Sequence, residues 1–174
     1  LTKAMAEAAG DSGWCIHLGA TSNDIVDSAV ALQIRDSIIL QQETIKKLLS
    51  TLCDLAERER DTVMLGRTHG QAAVPITFGL KVAVWVDEFR RHLDRLDELT
   101  PRVTTGKFLG AVGTGAAQGE NAFELQSLIM GNLGLQTPIA TTQVVGRDRY
   151  IEWVAWMANV STSIEKALPE ARNL

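Results

Sequence analysis

Gly66-Arg67-Thr68-His69-Gly70-Gln71 sets one imidazole between two glycines, after the apolar run Val63-Met64-Leu65 and before the breaker Pro75. Histidine alone has an unperturbed pKa near neutral pH, so a ring held in a tight glycine turn can donate or accept a proton. The same ring could do no more than hydrogen-bond its own turn. A second polar stretch is His17-Leu18-Gly19-Ala20-Thr21-Ser22-Asn23-Asp24. Here Thr21 or Ser22 is a good N-cap and Thr21-x-x-Asp24 fits a capping box, so a helix should open at this point. The glycine-dense segment Gly106–Ala117 has two readings. One is a close packing site; the other is a nest of backbone amides beside an anionic substrate, with Lys107 as a countercharge. Gly113-x-Gly115 is no dinucleotide fingerprint, because no parallel βαβ unit surrounds it.

The elements that must carry these loops read as helices. Leu1 to Ala9 is rich in helix formers with no cap ahead, and it resembles the last turns of a helix, stopped by Gly10. Trp14-Cys15-Ile16 should pin the following loop to a core. No proline or glycine interrupts Thr21 to Arg60, and Ile34, Ile38, Ile45, Leu48, Leu52 and Leu55 recur near helical spacing. A helix from Ser22 to about Arg60 would be roughly 58 Å long, more than the ~40 Å diameter of a compact globule of this size. Its apolar positions would then be covered in an elongated bundle or by helices of other subunits.

Phe78, Val82, Trp85, Phe89, Leu93 and Leu96 step by three and four, with charges between them, and predict a second amphipathic helix ending near Leu99 before Pro101. His92 falls on its charged face. Glu120 to Leu133 reads as a short helix stopped by Gly134, and Gln136 to Gly146 as a loop containing Thr141-Thr142-Gln143. Arg147 opens the last helix, where Pro169 predicts a kink or break at Leu168. The fold class expected is all-α, an elongated antiparallel helix bundle with polar loops at helix ends. Residues 1–174 are expected to form one helical domain.

Composition narrows the function classes. With 45% hydrophobic and 22% charged residues the chain reads as soluble and globular. A net charge of -4 with scattered Lys and Arg argues against a nucleic-acid binder. No apolar run reaches the ~20 residues of a membrane span, and the N-terminus does not read as a signal peptide, so a cytoplasmic location is expected. Cys15 and Cys53 lack metal-ligand spacing and read as two buried or half-buried free thiols. Nothing requires a metal.

Four motifs, in order, give a resemblance that runs through the whole chain. His17-Leu-Gly-Ala-Thr21-Ser22-Asn-Asp24, Gly66-Arg-Thr-His69-Gly-Gln, Gly110-Ala-Val-Gly-Thr-Gly and Thr142-Gln143-Val-Val-Gly-Arg147-Asp148 resemble the adenylosuccinate lyases, archaeal in flavour, of the fumarase/aspartase superfamily. The resemblance implies a central helical-domain fragment. It also implies β-elimination of fumarate from adenylosuccinate and its imidazole-carboxamide analogue (SAICAR), without metal or organic cofactor. By matching positions, His69 is the expected acid, Thr21 and Ser22 hold succinyl or phosphate oxygens at a helix N-terminus, and Gln143 binds substrate through its amide. His17, Thr68, Lys107 and Arg147 are further candidates. Thr21 and Ser22 could instead be pure caps, Gln143 an ordinary loop residue and His17 a turn histidine.

The resemblance further implies a homotetramer whose active sites are shared between subunits and take a small nucleotide substrate. The family's base, a serine on a Ser-Ser-x-Met-Pro-x-Lys loop, has no match here, nor has an upstream Arg-His-Asp type motif. The chain is therefore expected to carry the acid side and part of the binding surface, and to have little lyase activity alone. The competing expectations are a 3-carboxymuconate cycloisomerase-like member and a non-catalytic helical assembly module.

Overall fold

The computed structural model describes residues 1–173 and is 67% helical with one small sheet, as the all-α expectation requires. In chain order the elements are α1 (Thr2–Ala8), a 3-10 turn (Gly10–Cys15), α2 (Ser22–Arg58), β1 (Val63–Thr68), β2 (Gln71–Thr77), α3 (Phe78–Val103), a 3-10 turn (Gly119–Asn121), α4 (Ala122–Leu133) and α5 (Asp148–Arg172). Two compact units divide these residues: Leu1–Asp36 with Thr100–Ile151, and Ser37–Leu99 with the residues from Glu152 onward. Among the described residues no helix is long and apolar enough to cross a membrane.

In the first unit, Ala31 of α2 packs with Met130 of α4 and with Leu135, and Leu32, Phe108, Ile129 and Leu133 close around them. Gly134 takes φ 65° and ends α4, with the Leu135 amide donating to the Met130 carbonyl at 2.8 Å. This is the left-handed C-cap that the glycine predicts. Gly106 runs against this core so closely that a Cβ there would lie 2.5 Å from Met130 Sδ and 2.8 Å from Ser28 Oγ.

The second unit buries Ile38 and Ile45 of α2, Val82, Trp85, Phe89, Leu96 and Leu99 of α3, and Trp156 of α5. Ile38, Ile45, Val82, Trp85, Phe89 and Leu96 are positions that the three-and-four spacing picks out, whereas Leu99 and Trp156 are not. His92 is a correction: it is 1% exposed, not part of a solvated face. Its Nε2 lies 2.8 Å from Ser163 Oγ, and its carbonyl accepts the Trp156 indole N–H at 2.9 Å. Ser163 Oγ donates to Glu88 Oε1 at 2.6 Å, and Lys166 pairs with the other Glu88 oxygen. His92 thus points inward from a stretch of largely exposed charged residues because α5 offers a polar partner there.

Further expectations are revised. A β-hairpin, β1 paired antiparallel with β2, stands where only a turn was read. Pro101 lies inside α3 and Pro169 inside α5, and neither breaks its helix. Past Pro101, the Thr104 amide and hydroxyl both bond the Thr100 carbonyl, and Val103 is fully buried. Pro169 and Glu165 are both exposed, so water can satisfy the carbonyl that a helical proline leaves without a donor. Cys15 and Cys53 are free, but both are exposed, and Trp14 beside Cys15 is 75% exposed rather than pinned in a core.

Candidate functional site

The first two turns of α2 organise the polar loops of the first unit. Thr21 caps the helix, and its amide donates to Asp24 Oδ2 at 2.8 Å, one arm of the predicted capping box. Asp24 also accepts the amides of Leu109 (3.2 Å) and Gly110 (3.0 Å) and pairs with Lys107. The loop amides and the Lys107 charge that one reading set beside an anionic substrate are instead taken up by Asp24 of the same chain. Lys107 is fully buried and spends its charge on the same carboxylate, with a further bond to the Gly110 carbonyl at 3.3 Å. Asp24 accordingly turns away from any ligand and fastens the loop to the helix.

One turn further on, Asp27 is 1% exposed and gathers the other loop. Its Oδ2 accepts the Val145 amide at 2.9 Å and its Oδ1 accepts Arg147 Nη1 at 2.9 Å. Arg147 stacks over the Tyr150 ring at 5.2 Å and donates to the Tyr150 hydroxyl at 3.1 Å. The Asp27 hydrogen bond raises the Arg147 pKa further, while burial raises that of the Tyr150 phenol. Gln143, two residues before Val145, extends its Nε2 to within 3.4 Å of Thr21 Oγ1. The Thr141 carbonyl sits so near Gly113 (φ 80°) that a Cβ there would approach it to 2.1 Å, so the two loops lie against each other. Gln118 donates to the Gly19 carbonyl at 2.7 Å and ties the His17 segment to the end of the glycine-dense loop.

Thr21 and Gln143, named from sequence far apart in the chain, are thus neighbours, and Ser22 is exposed beside them on the first turn of α2. Hydroxyls, a side-chain amide and the free amides of a helix start make a surface suited to oxygen-rich anions. Sequence reasoning missed Asp27 as the anchor of the Gln143 loop. Its signal was its spacing of three from Asp24, which puts both carboxylates on one helix face.

His69 and Thr68 belong to the second unit. His69 and Gly70 are the two residues between β1 and β2, with φ 54° and 71°, the signature of a type I′ hairpin turn. His69 is exposed at the tip of this ribbon. Among the described residues only His69 and His17 (φ 68°) take positive φ without being glycine. Left-handed backbone on a bulky residue is uncommon and concentrates where function fixes a side chain. A bulge lies below the tip: Leu65 pairs with Pro75 and Arg67 with Ala72, so Gly66 faces two residues of β2. Among the described residues, no group of three or more His, Cys, Asp or Glu side chains comes together that could hold a metal ion.

Both units are built mainly of helices, with polar loops gathered at a helix start in the first and a histidine on a hairpin tip in the second. The lyase family model matches residues 2–172, and the chain belongs to that family, in the fumarase/aspartase superfamily. It is 47% identical to the adenylosuccinate lyase of Pyrococcus abyssi over 174 residues, covering 100% of this chain and 39% of that protein. Among solved structures, a fumarate lyase from Mesorhizobium sp. BNC1 superposes with a TM-score of 0.91 at 40% identity, over 98% of this chain and 40% of that one. A 3-carboxy-cis,cis-muconate lactonizing enzyme from Pseudomonas putida gives a TM-score of 0.84 at 36% identity, over 95% and 38%. The chain thus spans less than half the length of the relatives it matches.

Proposed function

We propose that this chain is the central helical part of an adenylosuccinate lyase, which releases fumarate from adenylosuccinate and SAICAR by β-elimination. The observation that carries the reading is the meeting of Thr21 and Gln143 at the start of α2, in a chain 47% identical to an adenylosuccinate lyase. In this reaction a base removes a proton from the succinyl carbon beside a carboxylate. The electron pair left on that carbon is stabilised as an aci-carboxylate, and the C–N bond then opens as the leaving nitrogen takes a proton. Thr21, Ser22 and the amides of the first turn of α2 hold substrate oxygens, and Gln143 bonds the substrate through its amide. Hydrogen-bond donors aimed at the oxygens where charge accumulates are the largest contribution to such a step.

His69 is the proposed acid: its imidazolium gives the proton to the leaving nitrogen and becomes neutral. No residue of this chain is assigned as the base. Arg147 and Lys107 act through the loops they brace, and His17 and Thr68 flank the binding and acid segments. The protein works as a homotetramer whose copies contribute loops to shared sites, in the cytoplasm. Exposed apolar side chains such as Leu40, Val84 and Val154 support packing against helices of other copies.

The test is turnover of adenylosuccinate, followed by its absorbance, with this chain alone and with the full-length protein that contains it. The full-length protein is expected to be active, and His69→Asn is expected to lower kcat by about 10²–10⁴-fold. Full activity in His69→Asn would overturn the acid assignment. Turnover of 3-carboxymuconate instead would favour the second reading, which the lactonizing-enzyme likeness supports; turnover of neither would favour a helical assembly module.

A further inference from the structure

We infer that Asp27 is a positioning residue for Gln143, fixing the height of the Gln143 loop above the first turn of α2 and so setting how tightly substrate is held. The inference rests on the reading that Gln143 binds substrate. Asp27 never reaches the surface, and both of its oxygens are used on one short segment: Oδ2 on the Val145 amide and Oδ1 on Arg147. Those two contacts pin to α2 the segment that immediately follows Gln143. Thr141 Oγ1 closes the same turn from inside by donating to the Val144 carbonyl at 2.9 Å. The loop is thereby a small rigid piece clamped to a helix that also carries Thr21, the partner of Gln143. A carboxylate is needed for this. One oxygen accepts a main-chain N–H, the other meets a guanidinium, and bonds to a charged acceptor are about twice as strong as neutral ones. An asparagine would keep only a weaker, uncharged form of the first contact and would turn an amide N–H against the Arg147 guanidinium, loosening both.

The experiment is a double-mutant cycle in the full-length protein between Asp27→Asn and Gln143→Ala. Asp27→Asn is expected to raise KM for adenylosuccinate by about tenfold with kcat within about twofold, and to add nothing further once Gln143 is alanine, because contacting or coupled sites are non-additive. A KM effect of Asp27→Asn that persists undiminished in the Gln143→Ala background, or no KM effect, overturns the inference. If Asp27→Asn does not fold, Arg147→Met replaces it, with a smaller rise in KM and the same non-additivity expected.

A readout that needs no turnover separates this inference from the choice of substrate. Hydrogen exchange of the Val145 amide should accelerate at least about tenfold in Asp27→Asn while that of Gly110, bonded to Asp24, is unchanged. Unchanged exchange at Val145 overturns the inference even in an active protein. Accelerated exchange in a protein that ignores adenylosuccinate upholds the clamp and refutes only the substrate.

Discussion

Lys107 and Asp24 form an ion pair in which neither side chain reaches solvent. The pair joins the glycine-dense loop to the start of α2, and the three amides on the same carboxylate complete its coordination. Such a pair costs much in desolvation, so what it supplies is loop placement more than net stability.

Removing one partner should therefore hurt more than removing both. Lys107→Met leaves a buried negative charge and is expected to destabilise by about 3–5 kcal/mol. The Lys107→Met/Asp24→Asn double variant should recover part of that loss. Urea denaturation of the three proteins measures it.

His92 makes stability depend on pH. Ser163 directs its own proton to Glu88, so it accepts the His92 Nε2–H, while Nδ1 faces Arg95 at 3.4 Å. Burial first, then Arg95, holds the His92 pKa below its ordinary 6.5, with Arg91 and Lys166 adding to the shift and Glu88 opposing it. The unfolded chain then binds this proton more readily than the folded one. Stability is full above about pH 6.5 and declines as pH falls below it. Glu88 is shifted below 4.5 by Lys166 and then Ser163, and its contribution is lost only in more acid solution. Tm measured from pH 8 down to about pH 3 should fall in two stages, the lower one below about pH 4.5, and His92→Gln should abolish the upper one.

Two glycine substitutions should separate strain from collision. At Gly70 (φ 71°) a Cβ meets nothing within 4 Å, so Gly70→Ala should cost only the left-handed penalty, about 1–2 kcal/mol. At Gly113 the same change adds the clash with the Thr141 carbonyl at 2.1 Å. Gly113→Ala should cost more and should shift the Gln143 amide resonance, whereas Gly70→Ala should leave that resonance in place.

The left-handed backbone at His69 predicts which replacements the ribbon accepts. Asparagine tolerates this conformation and valine does not. Tm should stay close to that of the parent protein in His69→Asn and drop in His69→Val, although both remove the imidazole. Equal Tm values for the two would contradict a type I′ turn at this place.

Much of this was legible from local signals. The capping box at Thr21 and Asp24, the uninterrupted run of α2 and the stop at Gly134 each depend on residues within a few positions of one another. The hairpin was hidden because both of its strands are largely exposed, so no alternation of apolar and polar residues marks it. Pro75 read as a breaker, yet in a two-stranded ribbon each strand is an edge, where a missing N–H is tolerated. His92 looked solvated because its polar partner, Ser163, lies 71 residues away. The Asp27 clamp on Arg147 spans 120 residues, a pairing that no local pattern announces. Thr21 and Gln143 were both named as substrate-binding residues, but only through the resemblance, and their meeting is a tertiary fact.

The ribbon under His69 is a lever. It is rooted where the Phe78 amide bonds the Thr62 carbonyl at 2.8 Å and the Gly79 amide bonds that of Glu59 at 2.9 Å. Six residues of strand carry the imidazole about 20 Å from that root. Rocking the root by ~3° swings the ring by about 1 Å, and a displacement of that size can cost a reaction ~10²-fold. The packing of α2 against α3 at Gly79, where a Cβ would come within 2.5 Å of the Ala56 carbonyl, is thus a fulcrum. The aim of the imidazole is decided at the far end of its arm, by a contact with no chemistry of its own.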